Sequence, residues 1–339
     1  MNSYFSTFIT GFGEVVEEHL VKSLKDVEIL LLVDGLVIYK TSSSLGDIKE
    51  LKFLNNSFIL LKKVGKVYES SVKEMCKALI HDRNVGEVIE SNFSQKKYKF
   101  RVRASVKNQF VAIDKNVLRN VEERIAQLSE NLELDRSLPD IEFLIAIRSE
   151  GFGLLGIQFT RRSNYEKTLE KGELYPELAY ILCLISDPDK SDVFMDPMAG
   201  HGSIPGQRIN FPYKKIIAGE VDISLQKKLK TKFGEKVLVE LLDATQLNGF
   251  TDGSIDKIVT DPPWGLHDME KDIPDFYFRI FQEFCRVLKG NGMAVVLTSQ
   301  KEVIEDLFLK FVGRLELVKK YTTLVSGKKV GVYKLKKTS

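Results

Sequence analysis

The most specific chemistry in this chain lies in the run Asp261-Pro262-Pro263-Trp264-Gly265. Proline has no amide N–H and holds φ at about −65°, so two prolines after an acid remove two donors and stiffen the loop. What remains only accepts hydrogen bonds: the Asp261 carboxylate and nearby carbonyls, beside the ring of the one tryptophan in 339 residues. Such a loop suits a planar base bearing an exocyclic NH2 group. The acceptors take its N–H bonds, the ring stacks on Trp264, and the nitrogen lone pair faces a methyl donor. A rigid turn around a buried tryptophan is the plainer alternative.

Three further acids stand where chemistry is expected if each closes a strand. Asp196 opens the run Asp196-Pro197-Met198-Ala199-Gly200-His201-Gly202-Ser203, whose glycines let the backbone turn tightly and approach a ligand. Glu220 follows about twenty residues later, at the distance where folds of this kind hold ribose hydroxyls, with Asp222 as second choice. Asp243-Ala244 is placed to accept from an adenine amino group. Each acid alone could equally cap a helix; three at consecutive strand ends are harder to assign to chance. The loop lacks the lysine of a phosphate-cradling P-loop and departs from the dinucleotide fingerprint. A nucleoside without a pyrophosphate fits better. No metal is implied.

The elements that must position these residues begin near Leu174. Apolar runs at 192–196, 215–220, 236–243, 256–261 and 292–299 alternate with helical patterns, which implies a parallel sheet covered on both faces. In such sheets ligands bind beyond the carboxyl ends of the strands. Two more strands, LELVKKYTTL and KKVGVYKLKK, flank Ser326-Gly327 and predict a terminal antiparallel hairpin. The first sixty residues read as a small α+β unit, with a hairpin at Asp34-Gly35. Residues 64–165 repeat the mixture. Val117, Val121, Ile125, Leu128 and Leu132 predict one helical stripe, and strands 141–148 and 152–159 are joined at Ser149-Glu150-Gly151. Lys167–Lys171 reads as a linker.

Composition narrows the classes. Apolar content of 43% and charged content of 29% describe a globular chain, and the absence of a long apolar stretch argues against a membrane span. The first twenty residues lack the basic and apolar regions of a secretory signal. Cys76, Cys183 and Cys285 are an odd number without metal-ligand spacing, so they read as buried free thiols in a reducing cytoplasm. The net charge of +3 decides little, but residues 95–107 hold six basic side chains and no acid. Lys96, Lys97, Lys99, Arg101 and Arg103 are therefore candidates for phosphate contact, against the alternative of a solvated strand face.

The motifs DPMAGHGS, GEVD, DATQL and DPPWG, in this order and followed by a terminal hairpin, resemble the amino-methylating class of Rossmann-like methyltransferases. LYPELAYILCLIS resembles the helix before their first motif. GFGEVVEEHL, FRVRAS and PDIEFLIAIRSEGFGLLGIQFT resemble the ferredoxin-like and THUMP module of tRNA guanine-N2 methyltransferases. His201 and Ser203 stand where that family has Ser and Thr, and Trp264 stands where it more often has Tyr.

The resemblance implies an α/β fold with three segments: a ferredoxin-like domain (1–63), a THUMP RNA-binding domain (64–165) and a Rossmann-like methyltransferase domain (172–339). It implies S-adenosyl-L-methionine as cofactor, held by Asp196, Met198, Ala199, Gly200, Gly202, Ser203, Glu220, Asp222, Asp243 and Ala244. Asp261, Pro262, Pro263 and Trp264 would carry catalysis, on N2 of a guanosine in tRNA. The expected form is a monomer, with room for a small activator subunit. A DNA or RNA adenine-N6 methyltransferase shares the acid-Pro-Pro-aromatic motif and is the nearest rival. A non-catalytic RNA-binding protein is the rival from another class.

Overall fold

A computed structural model describes residues 2–81, 84–160, 169–170, 172–265 and 272–338. The chain forms two compact units, Met1–Phe8 with Glu17–Ser163, and Ile9–Val16 with Asn164–Ser339. The expected linker at 167–171 falls mostly outside the described residues.

The first unit is built on one sheet. Its elements run β1 (Asn2–Thr7), α1 (Gly13–Ser23), β2 (Glu28–Val33), β3 (Leu36–Thr41), α2 (Leu45–Lys49), β4 (Asn56–Gly65), α3 (Val72–His81), α4 (Asn84–Phe93), β5 (Tyr98–Val106), β6 (Gln109–Val111), α5 (Lys115–Ala126), β7 (Leu132–Leu134), β8 (Ile141–Ile147) and β9 (Phe152–Gln158). The order is β2-β3-β1-β4-β9-β8-β5-β6, with β7 beside β5. β4 pairs antiparallel with β9, so the stretch before Gly65 and the stretch after it share hydrogen bonds across one sheet. β8 and β9 are buried along their whole length, which accounts for their unbroken apolar runs.

One expectation fails here. The apolar stripe from Val117 to Leu132 does not lie on one helix. α5 ends at Ala126, and Leu132 instead opens β7, paired in parallel with Tyr98 of β5. Spacing of four residues placed Leu128 and Leu132 on the helix face; the turn between Ile125 and Ser129 breaks it, with the Leu128 amide bonded to the Ile125 carbonyl.

The second unit contains α6 (Pro176–Ile185), β10 (Val193–Asp196), α7 (Ser203–Arg208), β11 (Lys215–Glu220), α8 (Ile223–Phe233), β12 (Leu238–Leu241), β13 (Ile255–Thr260), α9 (Ile273–Val287), β14 (Leu288–Thr298), α10 (Lys301–Lys310), β15 (Leu315–Val325) and β16 (Lys328–Lys337). Its seven strands run β12-β11-β10-β13-β14-β16-β15. From β12 across to β14 the neighbours are all parallel, and β16 returns antiparallel beside β14. The β15–β16 turn uses Ser326 and Gly327, both with positive φ, as a tight two-residue hairpin requires. β12 is shorter than the 236–243 run suggested, because Lys236 belongs to a 3-10 turn.

After β12 the chain crosses back to pair β13 with β10. The order of strands therefore reverses at β10, and the crevice at such a switch point is where open α/β sheets take their ligands. α9 covers this part of the sheet with Tyr277, Ile280, Phe281 and Phe284, all fully buried.

Candidate active site

β10 ends in Asp196, and the loop after it is held by its own backbone. The Met198 amide donates to Asp196 Oδ1 at 3.2 Å, the Ala199 amide to the Gly219 carbonyl at 2.8 Å, and the Gly200 amide to Glu220 Oε2 at 2.9 Å. Gly202 has φ +82°, and a Cβ there would lie 2.6 Å from Leu229 and 2.8 Å from Phe233. Only glycine fits. Gly200 has φ +52° but open space where a Cβ would be, so its conformation leaves room beside the loop. Ser203 opens α7, and Ala199 is buried.

Glu220 closes β11 and is 8% exposed. One of its carboxylate oxygens takes the Gly200 amide and the other the Asp222 amide, each at 2.9 Å. It thus ties two neighbouring strand ends together while each oxygen keeps a lone pair for hydroxyl donors. Asp222 is occupied differently: its side chain caps α8, accepting from the Ser224 and Leu225 amides. Asp243 lies just past β12 and takes the Thr245 amide and hydroxyl on Oδ1, with Ala244 buried beside it.

β13 pairs with β10, so Asp261 follows a strand adjacent to the one that ends in Asp196. The indole N–H of Trp264 donates to Asp261 Oδ1 at 2.9 Å, which orients the carboxylate. The loop is fastened at two carbonyls. The Tyr277 hydroxyl donates to the Pro263 carbonyl at 3.2 Å, and Gln300 Nε2 donates to the Trp264 carbonyl at 2.5 Å. Thr298 completes the fastening, lying 2.7 Å from the Tyr277 hydroxyl and accepting from the Gln300 amide at 3.0 Å. Among the described residues, no donor reaches the Pro262 carbonyl or Asp261 Oδ2. Two acceptors are therefore left beside three that are taken, Asp261 Oδ1 and the Pro263 and Trp264 carbonyls.

Tyr277, Thr298 and Gln300 were not singled out by sequence. Tyr277 reads as one more apolar position of α9. Gln300 lies just beyond β14, as the four acids lie at or just beyond their strands, and that placement is legible in the sequence.

Among the described residues the site is acid-rich without a matching cation. Burial pushes the Asp196 carboxyl up to about 7, and the nearby Glu220 adds to the shift. Asp261 is part-exposed as a residue, yet burial of its carboxyl pushes it up to about 8, against the lowering effect of the Trp264 hydrogen bond and with Asp196 raising it further. A positive charge in this crevice would favour the ionised forms of Asp196 and Asp261. Vicinal hydroxyls would find acceptors on Glu220. The set of acceptors thus fits a nucleoside that carries positive charge. Among the described residues, no group of three or more His, Cys, Asp or Glu could hold a metal ion.

The candidate phosphate contacts of the first unit look different. Lys99 pairs with Asp135 at 2.9 Å, Arg101 with Glu142 at 2.5 Å, and Arg103 lies 3.6 Å from the same Glu142. Lys96 sits over the Tyr98 ring, and Lys97 is exposed. Three of the five cations therefore have internal acids. The cysteines are free and buried, and no described helix is long and apolar enough to cross a membrane.

Residues 215–329 match the family model of UPF0020, described as an RMKL-like methyltransferase domain. The chain is 28% identical over 223 residues to the bovine (Bos taurus) tRNA (guanine(6)-N(2))-methyltransferase THUMP3, covering 59% of this chain and 43% of that protein. It is 25% identical over 227 residues to the tRNA (guanine(10)-N2)-dimethyltransferase of Methanocaldococcus jannaschii, covering 61% of this chain and 63% of that one. The chain thus spans less than two thirds of either curated relative. The crystal structure of TrmN from Thermus thermophilus has the same fold, with a TM-score of 0.75 at 18% identity, over 99% of this chain and 100% of that one.

Proposed function

We propose, from the premise that this chain carries an RMKL-like methyltransferase domain of the UPF0020 family and is related to the THUMP-type tRNA guanine-N2 methyltransferases, that it methylates the exocyclic N2 of a guanosine in tRNA. The methyl donor is S-adenosyl-L-methionine, which when bound supplies an electrophilic methyl group on a sulfonium. Residues 172–339 form the catalytic domain, while 1–63 and 64–165 act as the ferredoxin-like and THUMP parts of an RNA grip.

The observation that carries the reading is a pair of acceptors unengaged among the described residues, Asp261 Oδ2 and the Pro262 carbonyl, in a loop fastened at Asp261 Oδ1 and at the Pro263 and Trp264 carbonyls. Together they accept the two N–H bonds of one planar amine and leave its lone pair directed out of the base plane. Trp264, fixed by its bond to Asp261, offers a face for the base. The amine gives up a proton as or after its nitrogen bonds carbon, and the Asp261 carboxylate stabilises the charge that develops there. The acceleration therefore rests on positioning and fixed electrostatics rather than on a strong base. Glu220 holds ribose hydroxyls, Asp243 and Ala244 flank the adenine, and the 198–203 loop faces the methionine part.

A tRNA transcript incubated with the chain and isotopically labelled S-adenosylmethionine, then digested to nucleosides, should yield N2-methylguanosine. Replacing the target guanosine by inosine, which lacks only the amino group, should stop transfer at that position. Label on N6 of adenosine, or transfer to the inosine-bearing tRNA at the same site, would sink the proposal.

A further inference from the structure

After β12 the chain passes through residues 243–253 before it enters β13, and one stripe of α9 holds this loop. Arg279, Glu283 and Arg286 lie at i, i+4 and i+7 and so share a face of the helix. Glu283 accepts the Leu247 amide at 2.6 Å. Arg286 donates to the Leu247 carbonyl at 2.9 Å, to the Phe250 carbonyl at 2.7 Å and to Asp252 Oδ1 at 3.0 Å. Arg279, at the other end of the stripe, donates to the Thr245 hydroxyl oxygen at 3.0 Å.

The two arginines are used differently. Arg286 is paired with Asp252 and Glu283, as expected of a guanidinium that only holds a loop. Among the described residues Arg279 forms no ion pair, and its charge is set against a neutral hydroxyl. That hydroxyl in turn donates to Asp243 Oδ1 at 2.7 Å, and the Thr245 amide donates to the same oxygen at 2.8 Å. With an N–H on its lone pair, the hydroxyl has its proton directed at Asp243, and the cation behind it polarises the bond made there. Asp243 is exposed, so its carboxyl group would otherwise turn in water. Two donors on one oxygen fix its plane.

We infer that Arg279 is a positioning residue for the cofactor's nucleoside. Acting through Thr245, it holds the Asp243 carboxyl in the orientation that accepts from the exocyclic amine, and so sets the preference for adenine. This role rests on the reading of Asp243 as the adenine acceptor. A carboxylate that turns freely can be hydrated when a ligand offers it no donor, and it then discriminates little. A fixed one is left facing whatever the base presents. A purine with a carbonyl in place of the amine sets an acceptor against that acceptor and is rejected.

Titration calorimetry of the full chain with S-adenosylhomocysteine and S-inosylhomocysteine, which differ only in that exchange of amine for carbonyl, reads the preference without any methyl transfer. The parent should favour the adenine compound by about 10- to 100-fold. Arg279→Met keeps a long unbranched stem and removes the guanidinium, while Thr245→Val keeps the shape and removes the hydroxyl. Each should weaken the adenine compound about three- to tenfold and leave the inosine compound within about twofold, which narrows the preference. Because both break one path, the double variant should lose no more than Thr245→Val alone. Thr245→Ser keeps a hydroxyl and should keep the preference with it.

Equal losses on the two compounds in Arg279→Met and Thr245→Val would overturn this role, since a merely structural bond would loosen the site for both. So would losses that add in the double variant. If Arg279→Met does not fold, Thr245→Val and Thr245→Ser decide by themselves, and equal preference in those two rejects the relay. A parent chain that binds both compounds equally, or neither, would refute the reading of Asp243 itself. A parent that shows the preference, with variants that keep it, would refute only the part given to Arg279.

Discussion

Asp192 and Asp196 bracket β10, and both are almost wholly buried, at 3% and 1% exposure. Their surroundings are opposite. Asp192 meets the fully buried guanidinium of Arg208 at 2.9 Å, and Arg208 also donates to the Pro212 carbonyl at 2.7 Å. Asp196 has no such partner and instead shares its crevice with Glu220 and Asp261. The amino end of the strand is neutralised within the protein. Among the described residues the carboxyl end is left with a charge imbalance that a cationic ligand would correct. Stability was arranged at one end and withheld at the other, as expected where binding must supply the missing charge.

The sharpest way to break this contrast is at the paired end. Asp192→Asn keeps the shape and strands the Arg208 charge in the interior, which should destabilise the second unit by about 3–5 kcal/mol. Chemical denaturation would read this directly. A loss below about 1 kcal/mol would mean that the pair is not what holds that end together.

The unpaired end should answer in the other sense. Asp261→Asn keeps an acceptor for the Trp264 indole but removes the charge that stabilises the reacting amine. Methyl transfer should fall about 10²–10³-fold, with a much smaller loss of cofactor affinity. Stability should move the opposite way. The Asp261 carboxyl titrates at about 8 in the folded chain, above its ordinary value of 3.8. Between those limits the folded state holds a proton that the unfolded state has lost, so stability declines as pH rises. The variant escapes that decline and should melt higher than the parent at pH 8, with little difference at pH 4. Equal melting at both pH values would remove Asp261 from the strained set.

Legibility from sequence follows the same division. The ends of β10, β11 and β13 could be located because parallel strands buried on both faces leave unbroken apolar runs, and each run stops at an acid. The β15–β16 hairpin was legible from Ser326-Gly327. What pairs with what was not. The acids that neutralise Lys99 and Arg101 lie 36 and 41 residues away, on segments that only the fold brings alongside. The 95–107 stretch therefore looked like a bare basic strand. The helical spacing of Leu128 and Leu132 misled for a related reason, since β7 is defined by its pairing with β5 rather than by its own pattern.

The charge imbalance also predicts a proton linkage. With Asp196 at about 7 and Asp261 at about 8 in the free site, a sulfonium that favours their ionised forms must displace protons as it binds. S-adenosylmethionine affinity should therefore rise between pH 6 and pH 8, by up to about tenfold per unit for each proton released, and level off above. S-adenosylhomocysteine, whose sulfur is neutral, should show a shallower rise. Titration calorimetry in two buffers of different ionisation heat counts the protons. Identical slopes for the two compounds would mean that the acids do not sense the sulfonium.

The smallest expected effect concerns how the unpaired end is kept in shape. Gln300 touches neither acid; its Nε2 donates to the Trp264 carbonyl, while its amide is anchored on the Thr298 hydroxyl. A single neutral hydrogen bond is worth about 0.5–1.5 kcal/mol, so Gln300→Ala should slow methyl transfer roughly three- to tenfold. Because the bond fixes the loop rather than the cofactor, S-adenosylmethionine affinity should hold, and the deficit should appear in kcat more than in KM for tRNA. Gln300→Glu separates positioning from simple packing: it keeps the length but sets an acceptor against an acceptor carbonyl. It should be slower than Gln300→Ala. If Gln300→Glu instead matches the parent in kcat, the carbonyl of Trp264 needs no donor, and Tyr277 alone holds the loop.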